Sequence, residues 1–423
     1  MTGQPTNWAG NITFAAARLH RPASVAELQA VVAASDRVRP LGTGHSFNRI
    51  ADTSGDLVSV AGLPSTVEID HGRSQVTVAA GLRYGEFVAR LHEAGFALHN
   101  LGSLPHISVA GAVATATHGS GLTNGNLATA VAALELVTAD GELRTLTRDD
   151  DDFPGAVVGL GALGVVTRLT LDLVPTFEVS QYVHDNLPWH RIASDQEELL
   201  GAGYSVSLFT DWTGPRVNQV WVKRRTDVGG EPPQPRWLDA TLADGPRHPV
   251  PGMSAVHCTE QLGVPGPWHA RLPHFRLEFT PSSGEELQSE YFVDRRHLVE
   301  ALAALEEIGD RIAAVLQISE IRTVAADELW LSPAYRRDSV ALHFTWIADT
   351  GAVLPVLDAI EQRLAPYDAR PHWGKLFGVP PEVLRERYDR YADFVALARR
   401  YDPTGKLRND LLDTYFPDPR ELR

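Results

Sequence analysis

The eight residues Pro40-Leu41-Gly42-Thr43-Gly44-His45-Ser46-Phe47 restrict the fold of this chain more sharply than any other segment. Two glycines stand directly against a histidine and a serine, just past a helical segment. Glycine lets a backbone approach a ligand closely and leaves N–H groups free to point at phosphate oxygens. A histidine held in such a turn presents a nucleophilic nitrogen beside whatever those amides bind. The arrangement suits a dinucleotide held by its pyrophosphate and anchored through the imidazole. An ordinary glycine-rich turn with an incidental histidine is the alternative. A nicotinamide-binding Rossmann turn is excluded by spacing. Its third glycine belongs three residues after the second, where Phe47 stands. Pro40 also fits poorly in a central parallel strand.

At 423 residues the chain has room for two or three domains with proper cores. Its mean hydropathy of −0.14 is that of a soluble globular protein. The 53 acidic against 38 basic residues give a formal charge of −15, a field that repels phosphate backbones. Nucleic acid and anionic membrane are therefore excluded as partners, and a neutral small molecule is favoured. The single cysteine, Cys258, excludes an internal disulfide. Residues 1–10 show no basic region followed by an apolar run, and no stretch is long enough to span a bilayer. These features predict a cytoplasmic protein, and nothing in the pattern demands an oligomer, so a monomer is expected.

Periodicity divides the chain near Pro175. Before it, Ser24 and Glu27 form a capping box ahead of Leu28, Val31 and Val32, the buried stripe of a helix. Strands are expected at 38–41, 75–80 and 165–174. A helix should carry Tyr84, Phe87, Val88 and Leu91, and a hairpin should join 131–138 to 143–147 through Asp140-Gly141. Asp149 to Asp152 read as the solvated start of a short helix. After Pro175, strands are expected at 204–211, 219–224, 274–279, 288–293, 315–324 and 340–347, with helices at 296–312 and 353–364. Residues 229–252 read as a long surface loop. The pattern predicts an α+β fold with a large antiparallel sheet flanked by helices.

Residues 100–121 form a second informative stretch, built from small residues, hydroxyls and glycines and read as irregular. Such a segment lets a flat ligand lie against backbone. On the expected strands, Glu320 and Arg322 share one face, as do His343 and Thr345, while Leu342, Phe344 and Trp346 take the opposite, buried face. From the residues alone, a solvated sheet face explains those polar pairs. No Walker loop, G-x-S-x-G elbow, H-E-x-x-H or paired C-x-x-C occurs, and the sixteen histidines lack metal-ligand spacing. No metal is expected, and His257, Cys258, His269 and His274 read as structural.

Several motifs recur together in one order: G-T-G-H-S-F at 42–47, S-L-P-H-I-S-V-A-G at 103–111, T-x-T-H-G-S-G at 115–121, G-x-L-G-V-V at 161–166, P-H-W-G-K at 371–375 and D-P-T-G-K-L-R-N at 402–409. With the stretch around 258–269, they make the chain resemble the vanillyl-alcohol-oxidase type of flavoprotein, in the branch that oxidises sugar lactones and alditols. The resemblance covers almost the whole chain. It implies a two-domain architecture, with residues 1–175 completed by 376–423 holding FAD and residues 176–375 forming a substrate-binding cap. It also implies FAD joined through its 8α-methyl carbon to His45. Leu41, Gly42, Thr43, Gly44, Ser46, Phe47, Gly102, Ser103, Ser108, Gly111, Thr115, Ala116, Thr117, His118, Val165, Arg322 and His372 would line the cofactor. Relatives often carry glycine where this chain has Ala116. Gly102, like other small residues at that place, would admit oxygen.

The same resemblance implies that Ser103, Glu320, Arg322, Thr345 and Lys375 bind a linear polyol. Its terminal alcohol would lose a hydride to flavin N5, with oxygen reduced to hydrogen peroxide. Glu320 would take hydrogen bonds from chain hydroxyls, and Arg322 and Lys375 would stabilise negative charge on the alcohol oxygen. His343 would accept the hydroxyl proton, with Lys375 as the alternative. An aldonolactone oxidoreductase using another electron acceptor, and a non-catalytic flavin-binding protein, are the competing readings.

Overall fold

The computed structural model describes residues 4–229, 233–278 and 285–417. Near the amino terminus, strands β1 (Arg18–His20), β2 (Val38–Leu41) and β3 (Asp56–Ser59) form a parallel sheet in the order β1-β3-β2. Pro40 therefore lies on an edge strand, where its missing N–H is tolerated. Between β1 and β2, Ser24 Oγ accepts from Glu27 N–H at 3.2 Å and starts the helix Val25–Ala34. That helix buries Leu28 and Val32, and Val31 is half-buried.

Strands β4 (Val67–Asp70) and β5 (Gln75–Ala79) follow. The helix expected around Tyr84 to Leu91 is split into a one-turn 3-10 helix, Tyr84–Glu86, and the helix Val88–Glu93, because Phe87 at φ −130° interrupts the helical run. After β6 (Phe96–Ala97), the stretch expected to be irregular contains a short helix, Val109–Ala114. Its small side chains satisfy helical geometry while presenting little bulk, which is why no apolar stripe announces it. Strands β7 (Val131–Val137), β8 (Leu143–Thr147) and β9 (Val165–Asp172) complete an antiparallel sheet in the order β4-β5-β9-β7-β8, and β10 (Val174–Pro175) pairs with β6.

The remaining strands belong to one ten-stranded antiparallel sheet. They are β11 (Glu178–Pro188), β12 (Ser205–Thr210), β13 (Arg216–Arg225), β14 (Arg236–Trp237), β15 (Ala240–Leu242), β16 (Gly266–Pro267), β17 (Glu286–Asp294), β18 (Leu316–Val324), β19 (Ser339–Ile347) and β20 (Arg370–Pro371). The order is β14-β15-β11-β13-β12-β18-β19-β17-β20, with β16 also on β11. The long strand β11 was not expected, because its polar residues break any simple alternation. The presumed loop at 229–252 contributes β14 and β15, with residues 230–232 outside the described residues. The strand expected at 274–279 is reduced to a bridge between Cys258 and Phe275, and Phe279 lies outside the described residues. The helix expected at 296–312 is broken into Leu298–Glu306 and Gly309–Ala313. Those helices and Thr350–Leu364 bury Leu302, Leu305, Ile312, Val353, Leu357 and Ile360 in the main core, with Leu342, Phe344 and Trp346 of β19.

The carboxy-terminal segment returns to the first sheet. Val38 N–H donates to Lys406 O, and the Arg39 guanidinium, only 1% exposed, donates to the carbonyls of Ile50, Leu160, Gly161 and Leu407. Burial pulls Arg39 down to about 10, yet it remains charged at neutral pH, held by carbonyl dipoles. Arg39→Met leaves those carbonyls without their donor. A loss of about 3 kcal/mol in urea-unfolding free energy is expected, with earlier proteolysis of the segment beyond residue 400. Unchanged unfolding and cleavage would remove Arg39 from that role.

Candidate active site

A cavity of about 400 Å³ runs from the turn after β2 to the inner face of the ten-stranded sheet. Residues 41–47 line it, as do Gly102, Ser103, Ser108, Gly111, Thr115, Thr117 and His118 from the small-residue stretch. Glu320, Arg322, His343, Thr345, His372 and Lys375 line the opposite wall. Of the residues expected here, Ala116 and Val165 do not line it. Val165 is fully buried while Val166 faces the cavity, since alternate residues of β9 point to opposite faces. Ala116 packs in the core at φ +54°, a left-handed conformation that glycine adopts more readily.

The turn's geometry follows from its glycines. Gly44 sits at φ +70°, and a Cβ on Gly42 would come within 2.5 Å of Ser108 Oγ. His45 is thereby turned against Trp8, with ring centroids 5.2 Å apart and planes inclined by 16°. Its Nδ1 lies 2.9 Å from Thr43 Oγ1, whereas its Nε2 is buried without a hydrogen-bond partner among the described residues. Burial, reinforced by His106, lowers His45 to about 4, so its imidazole is neutral and nucleophilic at pH 7. Trp8, which no sequence motif singled out, lines the cavity as well.

Across the cavity, register decides which polar groups meet. Glu290 of β17 pairs with His343 of β19, which pairs with Glu320 of β18, so three titratable side chains form one row. Glu290 is 1% exposed. Its Oε1 accepts from Arg322 Nη2 at 2.7 Å, its Oε2 accepts from Lys375 Nζ at 2.7 Å, and His118 Nε2 lies 3.2 Å from Oε1. Lys375, the His118 ring and Arg322 hold this carboxyl well below its usual range despite burial. Sequence reasoning missed Glu290. A lone acidic residue before the apolar run Tyr291-Phe292-Val293 was the available signal, because a buried charge requires partners.

Lys375 Nζ also approaches His343 Nδ1 at 2.8 Å, and His343 Nε2 lies 3.1 Å from Thr345 Oγ1. An ammonium or amine N–H donating to Nδ1 leaves the ring proton on Nε2, donated to Thr345. Burial and the neighbouring Lys375 push His343 well below the ordinary imidazole range. This disfavours His343 as proton acceptor. Burial also lowers Lys375, despite the opposing pull of Glu290. Arg322 Nη1 donates to Ser103 Oγ at 3.2 Å, joining the sheet wall to the small-residue stretch. The segment carrying Lys375 is tied to the histidine turn: Phe47 N–H donates to Gly374 O, and Asn48 Nδ2 donates to Trp373 O and Lys375 O, all at 2.8 Å.

Residues 16–147 match the family model described as FAD binding domain, and residues 284–415 match that described as D-arabinono-1,4-lactone oxidase. Alditol oxidase of a Streptomyces species is 55% identical over 98% of this chain and 100% of its own length. L-gulono-1,4-lactone dehydrogenase of Mycobacterium tuberculosis is 30% identical over 96% of this chain and 97% of that protein. The crystal structure of cholesterol oxidase from B. sterolicum superposes with a TM-score of 0.79 at 16% identity, covering 97% of this chain and 96% of that one, which shows a shared fold. FAD is the cofactor, and the residues present fit it. The unsatisfied His45 Nε2 and Ser108 Oγ are buried in walls of one cavity, beside a turn that leaves no room for a Cβ at Gly42.

Glu290→Gln should lower unfolding free energy by about 3 kcal/mol at pH 7, because Arg322 and Lys375 lose their shared anion. Glu290 is depressed in the folded state, so it stabilises above its unfolded value near 4.5, and that contribution fades as pH falls further. Urea titrations should therefore show the difference between wild type and variant narrowing below about pH 4. A difference that does not vary with pH would contradict this.

Proposed function

The chain belongs to the alditol oxidase family, and from that membership we propose that it oxidises the terminal primary alcohol of alditols such as xylitol and sorbitol to the aldose. The observation that carries this reading is the row of polar groups on β17, β19 and β18 facing the cavity, with Lys375 and Ser103 beside it. A carboxylate, a guanidinium, hydroxyls and an amine suit the spaced hydroxyls of a linear polyol and offer nothing to an apolar one. When bound, FAD supplies the two-electron acceptor that the alcohol C–H requires and returns those electrons to oxygen as hydrogen peroxide.

Glu320, kept ionised by Arg322 and His274 despite burial, accepts hydrogen bonds from chain hydroxyls and holds the polyol in register. Thr345 and Ser103 add neutral contacts. Arg322 stabilises negative charge developing on the reacting oxygen. Lys375 Nζ, with its ammonium form disfavoured by burial, takes the hydroxyl proton, while Glu290 and His343 fix its position. The neutral imidazole of His45 forms the covalent link to the cofactor, supported by its unpartnered Nε2. Residues 1–175 with 376–423 hold FAD, and residues 176–375 supply the cap. Gly102 leaves the approach of oxygen open. Nearby Ile107 Cδ1 and Thr117 Cγ2 lie 3.6 and 3.7 Å from a Cβ built there, ordinary contact for a single added carbon.

Lys375→Met should reduce kcat for xylitol at least about a hundredfold while the acid-precipitated protein stays yellow. In wild type, kcat should rise with pH through one ionisation below the ordinary lysine value of 10.5, since the unprotonated amine is the reactive form. A variant retaining full turnover removes Lys375 from the reaction. Peroxide release with xylitol or sorbitol supports the oxidase reading. Dye reduction with an aldonolactone, and none with polyols, would replace it.

A further inference from the structure

His274 borders the cavity from behind Glu320, on a segment tied to the small-residue stretch by its own N–H to Ser103 O at 3.0 Å. Its Nε2 lies 2.8 Å from Glu320 Oε1, and its Nδ1 lies 3.2 Å from Lys223 Nζ. Lys223 follows the run Val220-Trp221-Val222 of β13 and is only 1% exposed, unlike Arg224 and Arg225 beyond it, which are half-buried. It donates to the carbonyls of Leu272 and Pro273 as well as to the ring. Lysine in its charged form has donors alone, so Nδ1 accepts and the ring's proton sits on Nε2, directed at Glu320. Phe209 and Trp221 pack edge-on against the ring, with centroids 5.5 and 5.2 Å away, so it cannot turn freely.

We propose that Lys223 and His274 are positioning residues for the polyol: Lys223 fixes the His274 tautomer, and His274 Nε2–H holds Glu320 Oε1 so that the second carboxylate oxygen is aimed at substrate hydroxyls. This rests on the polyol reading of the cavity. Arg322 Nε stands 3.6 Å from that second oxygen, beyond hydrogen-bond distance. Burial brings His274 down to about 4, consistent with a neutral ring. Burial also lowers Lys223 to about 7. The charged or titratable groups facing Lys223 are Glu320, Arg322, His274 and Cys258. Glu320 stays ionised, and burial pushes the Cys258 thiol up to about 12, so neither changes charge near neutrality. As pH rises through about 7, Lys223 loses its proton, the tautomer lock loosens and the hold on Glu320 weakens.

The test compares the FAD-loaded wild type with His274→Phe, His274→Gln and Lys223→Met. With xylitol, His274→Phe should raise KM about tenfold or more with kcat within about threefold, the size expected for one hydrogen bond to a charged group. His274→Gln, whose amide can restore the donor, should recover much of that loss. Lys223→Met should raise KM less and abolish the wild type's rise in KM above pH 7. Histidine ¹⁵N spectra read the lock without turnover: the Nε2–H tautomer of His274 is expected in wild type and a mixture in Lys223→Met. KM within twofold of wild type in both His274→Phe and Lys223→Met would overturn the proposal, as would an unchanged tautomer in Lys223→Met. Should His274→Phe fail to fold, His274→Gln and Lys223→Met decide. A wild type that turns over no polyol defeats the polyol reading itself, and the nitrogen spectra then judge the Lys223–His274 lock separately.

Discussion

A single buried carboxylate holds the cavity's charges in place. Glu290 takes hydrogen bonds from Arg322 and Lys375 while His118 closes on the same oxygen as Arg322. Without that anion, a guanidinium and an amine would face each other in a space largely withdrawn from water, at a cost that burial magnifies. With it, both cations keep defined directions, one toward Ser103 and the other toward His343. The arrangement explains why Lys375 can be brought toward its neutral form without being lost from the site. Burial presses the proton off, and the carboxylate limits how far.

The position of that carboxylate is a product of sheet register. Pairing of β17 with β19 and of β19 with β18 brings Glu290, His343 and Glu320 into one row, while alternate residues of β19 fill the core behind it. A one-residue slip would move every one of them to the wrong face. The opposite wall is fastened to this row by the segment 372–375, whose carbonyls accept from Phe47 and Asn48 beside the histidine turn. The imidazole at one end of the cavity and the amine at the other thus belong to one hydrogen-bonded frame. Arg39, on the strand that leads into that turn, donates to Leu407 O and so ties in the carboxy-terminal segment.

Much of this is legible in the sequence. The glycine-histidine turn, the hairpin, the strongly apolar strand β9 and the paired polar faces of β18 and β19 all express local rules, either backbone freedom or a period of two. What escaped depends on distant partners. Nothing in the sequence marks Glu290 or Lys223, because their partners lie tens to hundreds of residues away. His274 read as structural for the same reason. Strand β11 was hidden by its polar residues, which a large sheet tolerates when neighbours cover both edges. The helix Val109–Ala114 was hidden by its lack of bulk. The side chain of Val165 turns into the core while that of its neighbour Val166 faces the cavity, a distinction of face that depends on how the strand is paired.

Trp8 illustrates a further limit. It stacks on His45 from a distant part of the chain, and its backbone N–H donates to Gly44 O at 2.8 Å. Neither contact is announced by spacing or composition. On this reading a polyol delivers its electrons to FAD within the frame built on Glu290 and Lys375. The most direct measurement is anaerobic mixing of the purified protein with xylitol while the flavin absorbance near the visible maximum is followed. Loss of that absorbance in a single turnover, restored on admission of air, is the predicted result. Absorbance that persists with xylitol and with sorbitol under the same conditions would contradict the account.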